Sequence, residues 1–232
     1  MTPSNLPRVI VVTTGNIIFM AENEYDYLEQ ALPGFTRARQ IVKAAGDSVR
    51  PLGFKGSKFD FYRFANRFRL ATSFRGMDLE GFAPETADGY GALTRVFFSW
   101  SAFEGYSDLA GDPAPPYKTL LAHHPRHHIR DLAKLCREQD PHNRLGEFLR
   151  EHAQSAPQVI FLTKFQEGMD LAVLTHAACI RLIFAHGRLT AHPNGLPVEN
   201  MTSLCDALSS FIADFIRSDF QRRVQLAGAI LK

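Results

Sequence analysis

Apolar residues recur three and four positions apart along most of the chain, which is the spacing of helices with one buried face. Residues 16–31 carry Ile17, Phe19, Met20, Tyr27, Leu28 and Ala31 in this pattern, and Pro33-Gly34 stops it. A short basic helix over 35–45 ends at Gly46, and 49–56, with Pro51, Gly53 and Gly56, reads as a loop. Ser57 stands where a helix cap belongs, before Phe59, Phe61, Tyr62, Phe64, Ala65, Phe68 and Leu70. A polar loop follows over 76–89, with Pro84 inside it. The strongest helix is predicted over 87–109, where Leu93, Val96, Phe97, Trp100, Phe103 and Tyr106 form a wide apolar face. Gly111 and Pro113-Ala114-Pro115-Pro116 end it.

Short polar helices are expected over 117–122, 125–139 and 143–153, and another from Pro157 to Gly168. The stretch 169–186 is strongly apolar, and Gly187 stands where a helix end favours the left-handed conformation. A loop over 188–197 contains Pro193-Asn194-Gly195. The last long helix opens near Glu199-Asn200, capped by Asn200 or Thr202, and runs to about Ile230. The β-branched run Val9-Ile10-Val11-Val12 is either a short strand or an apolar arm packed on helices. Seven or more helices with one strand at most make an all-α protein. The Pro-rich stretch at 113–116 is either a linker or a turn between helices.

Composition narrows the function classes. With 45% hydrophobic and 22% charged residues in 232, the chain has material for a sizeable core and is not a disordered tail. A net charge of +2 gives no strongly basic signature. No apolar run reaches the ~18 residues of a membrane span, and the first residues lack the pattern of a signal peptide. Cys136, Cys179 and Cys205 form no CxxC, so they are read as reduced thiols of a cytoplasmic protein. Arginine outnumbers lysine 19 to 7. That bias suits bidentate binding of carboxylate and phosphate, and high-GC coding produces it equally well.

Several candidate chemistries are weak. His123, His124, His127 and His128 offer four imidazoles in six residues, but Pro125 breaks any helix holding all four, and no cysteine completes a site. They read as surface histidines at a helix start. Lys58, Arg63, Arg67 and Arg69 alternate with phenylalanines, a mixture that can bind nucleic acid or can be a helix with Phe inside and Arg in water. There is no P-loop, no GxGxxG and no G-x-S-x-G elbow.

One motif remains: Arg181-Leu182-Ile183-Phe184-Ala185-His186-Gly187, at the end of an apolar helix. Histidine moves protons near neutral pH, and arginine neutralises a crowded phosphate. Five residues turn an ideal helix ~140° net, so the two converge only if the helix frays near His186. Alternatively, Arg181 is a salt-bridge partner and His186 a helix cap. Arg137 and His142 repeat the spacing, but Pro141 puts them across a turn.

With its His-Gly stop and the amphipathic helix after it, this segment resembles the HEPN superfamily of helical bundles, whose signature is Arg, four to six residues, then His. The stretch from Leu93 to Glu104, with Ser101-Ala102-Phe103-Glu104, is similar to a helix of larger HEPN-like proteins. The resemblance covers about 87–232. It implies a HEPN-like bundle over 86–232 with additional N-terminal helices over 1–85, or one continuous domain over 1–232. It further implies a metal-independent endoribonuclease acting on single-stranded RNA, often in toxin–antitoxin or antiphage systems. A homodimer would join two Arg–His motifs in one cleft, and an antitoxin protein is a candidate partner. In that reading Arg181 neutralises the scissile phosphate, His186 serves proton transfer or phosphate contact, and Glu104, where its helix neighbours the motif helix, either orients Arg181 or is an ordinary buried ion-pair partner. Arg188 and His192 are substrate-binding candidates. No metal or cofactor is called for. Many active members carry Asn, Asp or His after the Arg; here it is Leu182. Non-catalytic members that bind nucleic acid, nucleotides or proteins are the alternative.

Overall fold

Glycine, proline and a capping box set the helix boundaries in the first third of the chain. The structure, a computed structural model, describes residues 22–113 and 117–230. The run at 9–12, the start of the helix expected from residue 16, and most of the Pro-rich stretch lie outside these. Helix α1 (Glu22–Ala31) turns at Gly34, whose φ of 91° suits a residue without a Cβ. The Glu29 carboxylate then accepts the Gly34 and Thr36 N–H groups at 2.8 and 2.7 Å and starts α2 (Phe35–Ala44). Ser57 and Asp60 form a reciprocal capping box at α3 (Lys58–Ser73), as the sequence suggests.

Helix α4 (Pro84–Ala110) starts three residues before its expected beginning. Pro84 is not inside a loop but in the first turn, where its missing N–H costs nothing. A single turn, α5 (Lys118–Leu121), leads to α6 (Arg126–Gln139), α7 (Arg144–His152) and α8 (Ala156–Gln166). The apolar stretch after Gly168 divides into a 3-10 turn, Asp170–Val173, and α9 (Leu174–Ala185). Helix α10 (Val198–Ile230) is the longest described. Neither Asn200 nor Thr202 caps it, because both lie inside it. Asn200 Nδ2 instead donates to the Gln139 carbonyl at 2.7 Å, satisfying an otherwise unpaired group at the end of α6. The described residues contain no strand, and the protein is all-α.

Helix α4 is the central element, packed against α10, α3 and α9. One continuous set of buried apolar side chains runs from Leu28 to Ala227. In α3, Phe61, Phe64 and Phe68 are buried while Arg63 and Arg67 face water, so the aromatic-basic segment is an amphipathic helix. Phe61, Phe64, Tyr106 and Phe54 cluster around Phe220 of α10, with ring centroids 4.9–6.4 Å apart. Each such pair contributes about 0.5–1.5 kcal/mol beyond area burial.

A buried polar knot ties α4 to α10 through this core. Tyr106 donates its hydroxyl hydrogen to Asp219 at 2.7 Å, and Arg222 and Arg223 donate to the same carboxylate at 2.6 Å. Burial works to raise the Asp219 pKa, but the bonds from Arg223, Arg222 and Tyr106 outweigh it and hold the carboxyl below its usual range. Arg223 reaches on to the Gly53 carbonyl at 2.8 Å and fixes the turn before α3.

Two contacts place α9 on α4. Glu104, near the end of α4, meets Arg181. Gly89, near its start, lies so close to the loop after α9 that a Cβ would stand 2.7 Å from Ala191 Cβ and 3.0 Å from Val198 Cγ1. The segment from Arg181 to Ala191 therefore runs antiparallel to α4. Among the described residues no helix is long and apolar enough to cross a membrane.

Candidate functional site

Helix α9 stays helical through Ala185 and does not fray. Gly187 takes φ of 69°, its N–H donates to the Phe184 carbonyl at 2.9 Å, and the Arg188 N–H donates to the Ile183 carbonyl at 3.1 Å. This is a Schellman closure. His186 is the last half-helical residue. Backbone groups of Gly187 and Arg188 make the cap, so the imidazole is not needed for it. The His186 side chain is exposed and bonds no other described residue.

Arg181 faces the other way, onto α4. Its Nη2 lies 3.3 Å from Glu104 Oε2, with the two side chains 31% and 41% exposed. Its guanidinium carbon stands 5.8 Å from the centroid of the half-buried Phe97 ring, and its Nε is buried without a hydrogen-bond partner. Leu182, beside it, is half-buried. The site thus brings Arg181 and Glu104 together. It does not join Arg181 to His186 by a hydrogen bond or ion pair, and the regular helix keeps them on different sides.

Arg188 and His192 are exposed in the loop that follows. That loop is braced from α7: Asn194 Nδ2 donates to the Arg144 carbonyl at 3.3 Å, and the Arg144 guanidinium donates to the Gly195 carbonyl. On the far edge of α4, Arg95 bonds Asp206 of α10 at 2.7 Å. Sequence spacing gave no sign of that pair, because its partners lie on separate helices.

The four histidines do not behave as one surface group. His123, His127 and His128 are exposed, but His124 is buried against Phe211 and Phe215 of α10, at ring centroid distances of 5.1 and 5.2 Å. Two apolar rings cover it, which the helix-start pattern could not reveal. Its Nε2 is buried without a partner. Burial, then the neighbouring His128 and His127, lower its pKa. No group of three or more His, Cys, Asp or Glu that could hold a metal ion occurs among the described residues.

The three cysteines are free and buried, and burial pushes the Cys136 and Cys179 thiols up to about 12. They are poor nucleophiles. Arg137 of the second Arg-x4-His match pairs with Asp170 at 2.9 Å, and His142 follows the end of α6.

Comparisons with family models, with curated proteins and with solved structures give no match for this chain.

Proposed function

We propose that the protein is a HEPN-like, metal-independent endoribonuclease that cuts single-stranded RNA at a cleft shared by two copies of the chain. The observation that carries this reading is the half-open Glu104–Arg181 pair at 3.3 Å beside a helix end whose histidine is free. A guanidinium held by a carboxylate keeps its charge and a fixed direction, and its open side can meet a phosphate. His186 is spared capping duty and free to move a proton. Within one chain the two side chains do not converge. A second copy supplies a second Arg181 and a second His186, so a composite cleft gives each phosphate both groups.

In the reaction the 2′-oxygen of a ribose attacks the neighbouring phosphorus, and the bond from phosphorus to the 5′-oxygen breaks. Arg181 neutralises the charge that builds on the phosphate oxygens. His186 takes the 2′-hydroxyl proton or supplies the one the 5′-oxygen needs. The products are a 2′,3′-cyclic phosphate and a 5′-hydroxyl. Arg188 and His192, exposed just past the motif, contact the flanking phosphates. A toxin–antitoxin or antiphage setting, with an antitoxin protein as partner, and a cytoplasmic location belong to this same proposal.

The test is cleavage of a mixed-sequence single-stranded RNA in EDTA by wild type, Arg181→Ala and His186→Ala. Cleavage by wild type that both variants lose supports the reading. A folded dimer that cuts nothing leaves the second reading, a non-catalytic binding module, which Leu182 favours because it places an apolar residue directly after the arginine.

A further inference from the structure

The cavity that opens between the end of α6, the end of α8 and the buried side of α9 is not part of the Arg181 region. It measures about 280 Å³, and Arg137, Asn143, Phe165, Gln166 and His176 are among the residues that line it. That is just under the ~300 Å³ at which small-molecule pockets begin, a size for one compact ring system.

Its chemistry is neutral, planar and rich in unused hydrogen-bonding groups. The Arg137 guanidinium lies over the Phe165 ring at 4.6 Å from the centroid. Its charge is already matched by Asp170 at 2.9 Å, yet the side chain remains 38% exposed, so a planar surface is left for a second flat group. His176 meets the Phe165 ring at 4.5 Å, edge to face. Burial holds this imidazole neutral, with the Val173 carbonyl partly opposing the shift. Its Nδ1 is buried without a well-formed hydrogen bond, although the Val173 carbonyl stands against the ring. The Asn143 amide makes no hydrogen bond to a described residue, and Gln166 uses only its oxygen, accepting from Arg150 at 2.9 Å. Asp140, also in the lining, is already engaged by the N–H groups of Arg144, Leu145 and Gly146. A buried polar group left unpaired is uncommon and calls for an occupant; in this cavity that group is His176 Nδ1, while the Asn143 amide is half-buried and the Gln166 amide exposed.

We propose that this cavity binds a nucleobase. An uncharged heterocycle stacks on the Arg137–Phe165 platform and trades in-plane hydrogen bonds with His176, Asn143 and Gln166, the way single-stranded bases are read by proteins. A charged ligand is disfavoured because Arg137 is matched and His176 is neutral. The base comes either from a free nucleoside or from an unstacked position of an RNA strand. The inference stands apart from the ribonuclease reading, since Arg181 and His186 take no part in it.

The experiment is a titration of the full chain, observed by ¹H–¹⁵N NMR of the His176 ring and the Asn143 and Gln166 amides. The four ribonucleosides are the first arm, a short single-stranded RNA the second, and ribose 5-phosphate the control. The expected result is that at least one nucleoside or the RNA shifts these signals and ribose 5-phosphate does not. Shifts with nucleosides assign a free effector; shifts with RNA alone assign a base of the strand. Asn143→Gly keeps the backbone, whose φ of 53° suits glycine, and is expected to weaken binding about fivefold, the loss of roughly one hydrogen bond. Gln166→Leu tests the second amide with the same expectation. The proposal is overturned if neither arm moves the His176 signals, or if both substitutions leave affinity unchanged. RNA cleavage in EDTA, lost or kept, reports separately on Arg181 and His186.

Discussion

Glu104 of α4 holds Arg181 of α9 at 3.3 Å, and both side chains remain about a third open to water. An ion pair this exposed contributes at most about 1 kcal/mol to folding. Its loss therefore separates function from stability. Glu104→Gln is expected to unfold at a denaturant midpoint close to wild type while cleaving RNA about tenfold more slowly, a loss near 1.4 kcal/mol in the transition state. Arg181→Lys is expected to lose more, because an ammonium keeps the charge without the planar fork. Equal cleavage by Glu104→Gln and wild type would remove Glu104 from the site.

The closure of α9 makes a prediction about Gly187. Its φ of 69° is left-handed, and nothing lies within 4 Å of where a Cβ would be. Gly187→Ala is then expected to cost about 1–2 kcal/mol from backbone strain alone. Gly89→Ala is expected to cost more, because its Cβ would press on Ala191 and Val198 and push the loop carrying His192 off α4. Chemical denaturation of both variants gives the order.

Asp219 anchors α10 to α4. Asp219→Ala removes the acceptor of Tyr106, Arg222 and Arg223 together. It leaves the largely buried Arg223 without its anion, for an expected loss of about 3–5 kcal/mol. Tyr106→Phe removes one donor and is expected to cost about 1–3 kcal/mol. Urea unfolding followed by circular dichroism measures each.

Acid should destabilise the fold in the range where histidine titrates. Burial lowers the His176 pKa from 6.5 to about 4. Between those values the unfolded chain takes up a proton that the folded chain refuses, so the stability owed to His176 falls as pH falls, and this contribution levels off below about pH 4. The loss from His176 approaches about 3 kcal/mol. His124, lowered by burial and by His128 and His127, adds to it in the same direction. His124→Phe, which keeps a ring against Phe211 and Phe215, is expected to flatten the stability–pH curve as pH falls below about 6.5. An unchanged slope would contradict the account of the His124 pocket.

Local signals carried most of the fold. Gly187, Gly111 and Ser57 each act on the next few backbone groups, so their helix ends were legible from sequence. The apolar spacing of Phe61, Phe64 and Phe68 correctly marked the buried side of α3. Pro84 was misread because proline both breaks helices and starts them, and its neighbours decide which. Asn200 was misread because its partner, the Gln139 carbonyl, lies on another helix. The same limit hid the buried state of His124, which α10 imposes, and the cavity beside His176, whose walls come from separate helices and turns. The Glu104–Arg181 contact was not legible from spacing, because nothing in the positions of two distant residues on separate helices shows that they meet.

The measurement that tests the central claim most directly uses a DNA strand containing a single ribonucleotide, incubated with the wild-type protein in EDTA. A metal-independent attack by the 2′-hydroxyl requires a single cut, on the 3′ side of that ribonucleotide, leaving a 2′,3′-cyclic phosphate and a 5′-hydroxyl. His186→Ala should leave the strand intact. Cleavage at deoxynucleotide positions, a 5′-phosphate at the cut, or an uncut strand from a folded dimer would contradict the account.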